Sequence, residues 1–412
     1  MKTALTMLSA FVCGVASALT MATTTTAATA TRPSDVPVLM GTPDGIAVEE
    51  WERRRAPEIL DTYRREVFGA RPPSLDDRSR VSFRIADERE AFGGKAVRKT
   101  VIVNYAGERK DFSFPFTVFI PKSGRKVPAF VYIGLHIKTS FAEDGEFRSH
   151  RWPVEDIIDR GYATACFCNT NVAADAKTGF DQGIFAAVES PAERCGASWG
   201  TISAWAWAAS RVMDWMETEN AIDAAHVGVV GHSRGGKTAI WAGANDRRFA
   251  MICSNDSGCS GAKLNHIDLP RSESIARITR GFPYWFCENY RKYAGREMEM
   301  PFDQHELLAL VAPRLLCVAS ATEDSWAGPA GEWWAAKLAS PAWELYGRKG
   351  LVAKAQPAPD SPQQDGCISY HLRTGRHTLA PYDWKVYMDF ADRHGWVKGD
   401  ATCVQTAAKI LY

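Results

Sequence analysis

Twelve residues constrain this chain more than any others: Val227-Gly228-Val229-Val230-Gly231-His232-Ser233-Arg234-Gly235-Gly236-Lys237-Thr238. An apolar β-branched run enters the stretch and a helical pattern, Thr238 to Ala244, leaves it. That predicts strand, tight turn and helix in succession. Gly231-His232-Ser233-Arg234-Gly235 fits G-x-S-x-G, the nucleophile elbow. In an elbow the serine sits on a strained turn that lifts its hydroxyl clear of the backbone. The flanking glycines keep side chains from colliding with the adjoining strand and helix. The helix N-terminus behind the serine adds positive potential for a developing oxyanion. The same residues, Gly231 to Thr238, also satisfy G-x-x-x-x-G-K-[ST], the phosphate-cradling P-loop. A glycine-rich turn without chemistry is a third reading. All three demand strand, turn and helix, so only the rest of the chain can separate them.

From Pro128 onward, strand and helix patterns alternate, which predicts a parallel sheet with right-handed crossovers. Strands are expected at 127–134, 162–168, 250–253, 314–320 and 367–372, besides the elbow strand. Helices are expected at 154–160, 202–218, 305–310, 331–338 and 383–394, besides the elbow helix. Upstream, Trp51, Ile59, Leu60, Tyr63 and Val67 form a helical stripe that ends at Pro72-Pro73. Residues 97–105 and 112–121 alternate like an antiparallel pair that extends one edge. The expected class is α/β: an α/β-hydrolase-type three-layer sandwich, with a mostly parallel central sheet, an antiparallel N-terminal edge and helices on both faces. Residues 32–412 read as a single catalytic domain. Segments after the strand C-termini, among them the aromatic-rich Leu264 to Met300, should gather on one rim, where α/β folds place their sites.

Composition narrows the classes. With 412 residues and 46% hydrophobic, the chain can bury one large α/β core. A formal net charge of +1 leaves no electrostatic footprint for nucleic acid. Met1-Lys2, the apolar Ala4 to Leu19 and a Thr/Ala tract read as a secretory signal and spacer over residues 1–31. Cleavage is open between Ala16-Ser17-Ala18 and Ala28-Thr29-Ala30, and the destination is secreted or periplasmic. The apolar run is short for a membrane span and no later stretch qualifies, so no membrane partner is expected. Ten cysteines less Cys13 in the signal leave nine (10 − 1 = 9), an odd number that implies at least one free thiol. Cys166-Phe167-Cys168 is too closely spaced for a zinc knuckle and reads as core, and no H-E-x-x-H occurs. No metal, cofactor or obligatory disulfide framework is expected. The 14 tryptophans offer flat apolar faces that suit sugar rings, although most should be core.

An elbow serine needs an acid and then a histidine further along the chain. Asp324 ends a later predicted strand and His377 follows the last one, so Ser233, Asp324 and His377 fall on one rim in the required order. The competing reading of Asp324 is an N-cap of the next turn, with Glu323 as the substitute acid, and that of His377 is a surface residue. Asp256, at another strand end, could hold magnesium for a P-loop. Yet export removes nucleotide triphosphates, strands precede the motif, and a P-loop explains neither Asp324 nor His377.

Six stretches stand out together: Gly-His-Ser-Arg-Gly-Gly-Lys at 231–237, Asp-Ser-Gly-Cys-Ser-Gly-Ala at 256–262, Phe-Pro-Tyr-Trp-Phe at 282–286, Asp-Gln-His-Glu-Leu-Leu-Ala-Leu-Val-Ala-Pro-Arg at 303–314, Glu-Asp-Ser-Trp-Ala at 323–327, and His377 with Asp383-Trp384. In these the sequence resembles the bacterial branch of the glucuronoyl esterases, carbohydrate esterase family 15, over a match that runs from about Trp51 to Trp396. The resemblance implies cleavage of the ester between 4-O-methyl-D-glucuronate on glucuronoxylan and lignin alcohols. It implies Ser233 as nucleophile, His377 as base, Arg234 in the oxyanion hole, and Lys237, Glu273 and Trp326 as sugar contacts. The competing readings are a solvated carboxylate for Glu273 and a core position for Trp326. Many members carry a glutamate acid where this chain has the shorter Asp256, and fungal members carry a cysteine where it has His232. The acid is therefore open between Asp324 and Asp256, with Asp324, at the end of the strand after the Leu264 to Met300 insertion, expected as the principal one. A broader carbohydrate esterase such as a xylan deacetylase is the nearer rival, and a binding protein that keeps the fold without turnover is the more distant one. A monomer is expected.

Overall fold

The computed structural model describes residues 33–42, 45–135 and 149–397; the predicted signal and spacer at 1–31 lie outside the described residues. Among the described residues nine strands form one sheet: β1 Val81–Ala91, β2 Ala96–Tyr105, β3 Phe112–Pro121, β4 Val127–Gly134, β5 Ala163–Cys168, β6 Ile222–His232, β7 Met251–Asn255, β8 Leu315–Ala321 and β9 Ile368–Arg373. Their spatial order is β1-β2-β3-β5-β4-β6-β7-β8-β9. Pairings among β5, β4, β6, β7, β8 and β9 are all parallel, whereas β1, β2, β3 and β5 pair antiparallel. Every residue of β4, β5, β7, β8 and β9 is buried, as expected when helices cover both faces of a parallel sheet.

The antiparallel edge has three strands, not the expected pair. β1 is the addition, and its sequence hides it. Val-Ser-Phe-Arg-Ile-Ala-Asp-Glu-Arg-Glu-Ala is mostly exposed and heavily charged, and it becomes a strand by pairing along β2. Charge on an edge strand discourages pairing with other chains.

The α-helices are α1 Val48–Glu50, α2 Ala56–Glu66, α3 Val154–Asp159, α4 Gly183–Val188, α5 Thr201–Met216, α6 Arg234–Asn245, α7 Ile275–Gly281, α8 Gln304–Ala309, α9 Pro329–Ala339, α10 Pro341–Glu344 and α11 Pro381–Arg393. A π-helical turn, Trp51–Arg55, joins the first two. Helix α5 is buried along all its residues, and its two charged side chains, Arg211 and Asp214, pair with each other at 2.7 Å. The elbow helix α6 packs so closely on β7 that a Cβ at Gly243 would lie 2.2 Å from Ile252 Cγ1. Trp51, Trp152, Trp199, Trp205, Trp207, Trp241, Trp343 and Trp384 are among the largest fully buried side chains. The eight described cysteines are free thiols, and Cys166 and Cys168 are buried as expected. No helix among the described residues is long and apolar enough to cross a membrane.

Strand order reverses at β4. The chain passes from β4 to β5 on one side, then returns to lay β6 on the other. Such a switch point opens a crevice at the strand C-termini, and β6 ends there at His232, immediately before Ser233.

Candidate active site

Ser233 is the N-cap of α6 and has φ 57° and ψ −122°, a strained conformation for a residue with a Cβ. Its amide donates to Asn255 O at 2.8 Å, which ties the turn to β7. The turn needs glycine at 231, since a Cβ there would lie 1.9 Å from Gly235 O. Crowding after the serine falls on Gly236, whose Cβ would come within 2.9 Å of Ser257 Cβ. A Cβ at Gly235 would come no closer than 3.4 Å to Ile133 O. The second glycine of the motif is thus less constrained than the pattern implied.

The same geometry removes the phosphate-cradle reading. The amides of Gly236 and Lys237 both donate to Ser233 O, at 2.9 and 3.2 Å, and the Lys237 ammonium donates to the Ser257 carbonyl. Groups that a P-loop turns toward phosphate are here engaged within the protein.

His377 follows β9 and presents Nδ1 to Asp324 Oδ2 at 2.5 Å. The carboxylate accepts, so Nδ1 carries the proton and Nε2 is the basic nitrogen. Asp324 is almost fully buried, and its Oδ1 accepts from Ala327 N at 3.2 Å, so one carboxylate both caps the next turn and accepts from the imidazole. Glu323 is exposed and pairs with Arg376 at 3.4 Å, away from the imidazole. The His232 ring lies 4.5 Å from the His377 ring. Burial, and then the neighbouring His377, lower its pKa to about 3, so it stays neutral beside the base. Its Nδ1 donates to Asn255 Oδ1 at 2.7 Å.

Asp256 is the second acid. It follows β7 with φ 46°, is 1% exposed, and neither carboxyl oxygen has a hydrogen-bond partner. Burial, then the carboxylates of Glu332, Asp324 and Asp383, hold it well above the usual carboxylate range; Arg373 opposes them weakly at 3.9 Å. Ligating atoms of Asp256, Asp324 and His377 all lie within 4.8 Å of one another. Both acids therefore stand beside the imidazole, and only Asp324 is bonded to it.

Arg234 is clamped. One guanidinium nitrogen donates to Asp175, and the group lies over the Trp285 ring at 4.7 Å and the Phe282 ring at 5.5 Å. Those two rings stack 3.9 Å apart at an interplanar angle of 4°. Asp175 Oδ1 in turn accepts from Tyr284 Oη at 3.0 Å and Trp285 Nε1 at 2.8 Å. The aromatic cluster of the insertion is thus the platform for the residue after Ser233. Asp175 sits in a long polar loop 59 residues upstream of Arg234, where no motif or spacing marks it as part of the site.

Lys237 is 4% exposed and Glu273 is 6% exposed, so Glu273 is not a solvated carboxylate. Burial lowers the Lys237 pKa and raises that of Glu273, and each charge partly offsets the other's shift. The two groups are thus buried within each other's electrostatic reach, and the Lys237 ammonium is held by the Ser257 carbonyl. Trp326 is 44% exposed, not core, and its carbonyl accepts from the Glu273 amide at 2.9 Å. Arg277 lies over its ring at 5.2 Å.

The site thus gathers a serine on a strained turn, an imidazole bonded to a buried carboxylate, a positioned guanidinium and a buried Lys/Glu pair. The comparisons agree with that chemistry. A family model for glucuronyl esterase, fungi, matches residues 103–347. Carbohydrate esterase MZ0003, from an unknown prokaryotic organism, is 34% identical over 84% of this chain and 86% of its own length. The 4-O-methyl-glucuronoyl methylesterase of Hypocrea jecorina is 32% identical over 60% of this chain, and the match spans 51% of that enzyme. A solved glucuronoyl esterase from Solibacter usitatus is 35% identical, covers 87% of this chain and 97% of its own, and has a TM-score of 0.78. A promiscuous CE15 esterase from the marine bacterial metagenome is 32% identical, covers 87% and 96%, and has a TM-score of 0.77. An α/β-hydrolase fold whose sequence and structure match these enzymes over most of its length is a carboxylic ester hydrolase, and the chain belongs to the glucuronoyl esterases of carbohydrate esterase family 15.

Proposed function

We propose that this protein hydrolyses the ester between 4-O-methyl-D-glucuronate of glucuronoxylan and lignin alcohols, through an acyl-enzyme on Ser233. The observation that carries the reading is the His377–Asp324 pair on the same rim as a strained Ser233, with the Lys237/Glu273 pair buried beside it. Ser233 Oγ attacks the uronate carbonyl as His377 Nε2 takes its proton. The same nitrogen returns that proton to the departing alcohol oxygen. Water, deprotonated by His377, then attacks the acyl carbon and frees Ser233. The oxyanion formed in each half-reaction is met by the amides at the start of α6 and by the Arg234 guanidinium, which Asp175 and Trp285 hold in place. Lys237 and Glu273 bind sugar hydroxyls, and Trp326 offers its exposed face to the ring.

Residues 32–412 act as one catalytic unit and as a monomer, exported by the predicted signal at 1–31. A test compares benzyl glucuronate with acetylated xylan and p-nitrophenyl acetate as substrates. Preference for the glucuronate ester, and loss of about 10⁶ in kcat for Ser233→Ala with the fold intact, are the expected results. Faster release of acetate from xylan would move the assignment to a deacetylase.

A further inference from the structure

Glu332 has no solvent exposure, lies in the first turn of α9, and takes no part in the acyl transfer above. A buried carboxylate is costly unless donors meet it, and three do. Oε2 accepts from Ser320 Oγ at 2.6 Å, near the end of β8. Oε1 accepts from Gly258 N at 2.8 Å and Ser257 Oγ at 3.2 Å, in the turn after β7. That turn leads to both members of the buried pair. The Ser257 carbonyl accepts from Lys237 Nζ. The Gly258 carbonyl accepts from Lys263 N at 3.1 Å, and Lys263 Nζ donates to Glu273 O at 2.8 Å. The Lys263 stem crosses the start of α9 with no room to spare: a Cβ at Gly331 would lie 2.6 Å from its Cγ, and one at Gly328 2.7 Å from its Cδ. One carboxylate therefore joins β8, the β7 turn and α9 at the point from which Lys237 and Glu273 are held.

We infer that Glu332 is a positioning residue for recognition of the uronate: it fixes the Ser257-Gly258 turn, and through that turn Lys237 and the Glu273 segment. The inference rests on the reading of Lys237 and Glu273 as sugar contacts. Its effect falls mainly on sugar binding, because no hydrogen bond from Glu332 reaches the elbow, His377 or Arg234, and its charge touches the site through Asp256, which makes no hydrogen bond to the imidazole. Burial lifts its pKa to about 7 against the pull of its three donors. A carboxyl kept in so unfavourable a place beside a site is a functional candidate on physical grounds.

The test is a mutant cycle in steady-state kinetics on benzyl glucuronate, using wild type, Glu332→Gln, Lys237→Ala and the double variant. Glutamine keeps the volume but offers one acceptor oxygen to three donors. Glu332→Gln should raise KM about tenfold while kcat stays within about twofold, the signature of lost uniform binding. In the Lys237→Ala background the same change should add less than about threefold, since residues on one route are not additive. Ser320→Ala, which loosens Glu332 without touching the turn, should raise KM by about threefold. A KM rise undiminished in the Lys237→Ala background, or a fall in kcat at constant KM, overturns the role of Glu332 and leaves Lys237 as a sugar contact. An unchanged KM for Lys237→Ala refutes the reading of that lysine and removes the route with it. If Glu332→Gln does not fold, an unchanged KM in Ser320→Ala refutes the inference.

Discussion

Asparagine at position 324 should cost about 10⁴ in kcat, whereas asparagine at 256 should cost at most about tenfold. The asymmetry follows from bonding and charge. Asp324 accepts the His377 Nδ1 proton at 2.5 Å, which fixes the tautomer and steadies the imidazolium. Asparagine can meet Nδ1 with its amide and favour the wrong tautomer. A loss of four decades corresponds to about 5.4 kcal/mol in the barrier. Asp256 stands within 4.8 Å of the same imidazole without a hydrogen bond. An ionised carboxylate there would attract the imidazolium by about 3.5 kcal/mol at an effective dielectric near 20, or roughly 300-fold in rate. Burial and three neighbouring carboxylates keep its carboxyl well above the usual range, so most of that attraction is absent. Removing the charge at 324 also removes one of those neighbours, so Asp256 ionises more readily in Asp324→Asn and supplies part of the lost support. The double variant should therefore fall below the product of the single effects. The assay is kcat on one glucuronate ester for both single variants and the double, with circular dichroism as a control on folding. A loss above about 100-fold for Asp256→Asn, or a larger loss there than at 324, refutes the assignment of Asp324 as principal acid.

Arg234→Ala should lower kcat by about 10²–10³, the cost of one oxyanion donor. Asp175→Asn should give a smaller loss in the same direction, because the guanidinium keeps its Trp285 face but loses its ionic anchor; equal activity on glucuronate esters in both variants would contradict the clamp. Gly231→Ala should fail to reach a native elbow, by more than about 3 kcal/mol in chemical denaturation. Gly281→Ala, where a Cβ meets nothing within 4 Å, should be neutral or gain about 0.5–1 kcal/mol. For Glu332 the pKa is about 7 folded and 4.5 in the reference state. The native state therefore holds a proton between those values that the unfolded chain has lost. Its contribution to stability is full below pH 4.5 and disappears as pH rises through 7, a change of about 3 kcal/mol. Urea denaturation at pH 5 and pH 8 should show Glu332→Gln less pH-sensitive than wild type by about that amount; equal slopes would refute the buried acid.

Local rules made the elbow legible. G-x-S-x-G between a β-branched run and a helical pattern specifies one turn, because only glycine at 231 tolerates the approach of the Gly235 backbone. Alternating periodicity placed the parallel strands to within a few residues. The sheet's C-terminal rim then followed from chirality, bringing Ser233, Asp324 and His377 together in chain order. The three-residue separation of Asp324 from the Ala327 amide even hid nothing, since cap and acid use different oxygens.

What lay beyond the sequence depends on contacts made only after the chain has closed. β1 is a strand because β2 offers it a partner, not because its charged residues prefer one. Asp175 and Glu332 matter through bonds to residues 59 and 75 positions away, and no periodicity encodes such a pair. Asp256 and Asp324 both stand at strand ends, and only position along the chain favoured Asp324. Burial and like charges make one a poor anion, while a hydrogen bond makes the other the partner of His377. Backbone pattern and turn chemistry act over a few residues and can be read from the sequence. Protonation state, burial and long-range pairing are properties of the packed interior, and only the tertiary structure decided them.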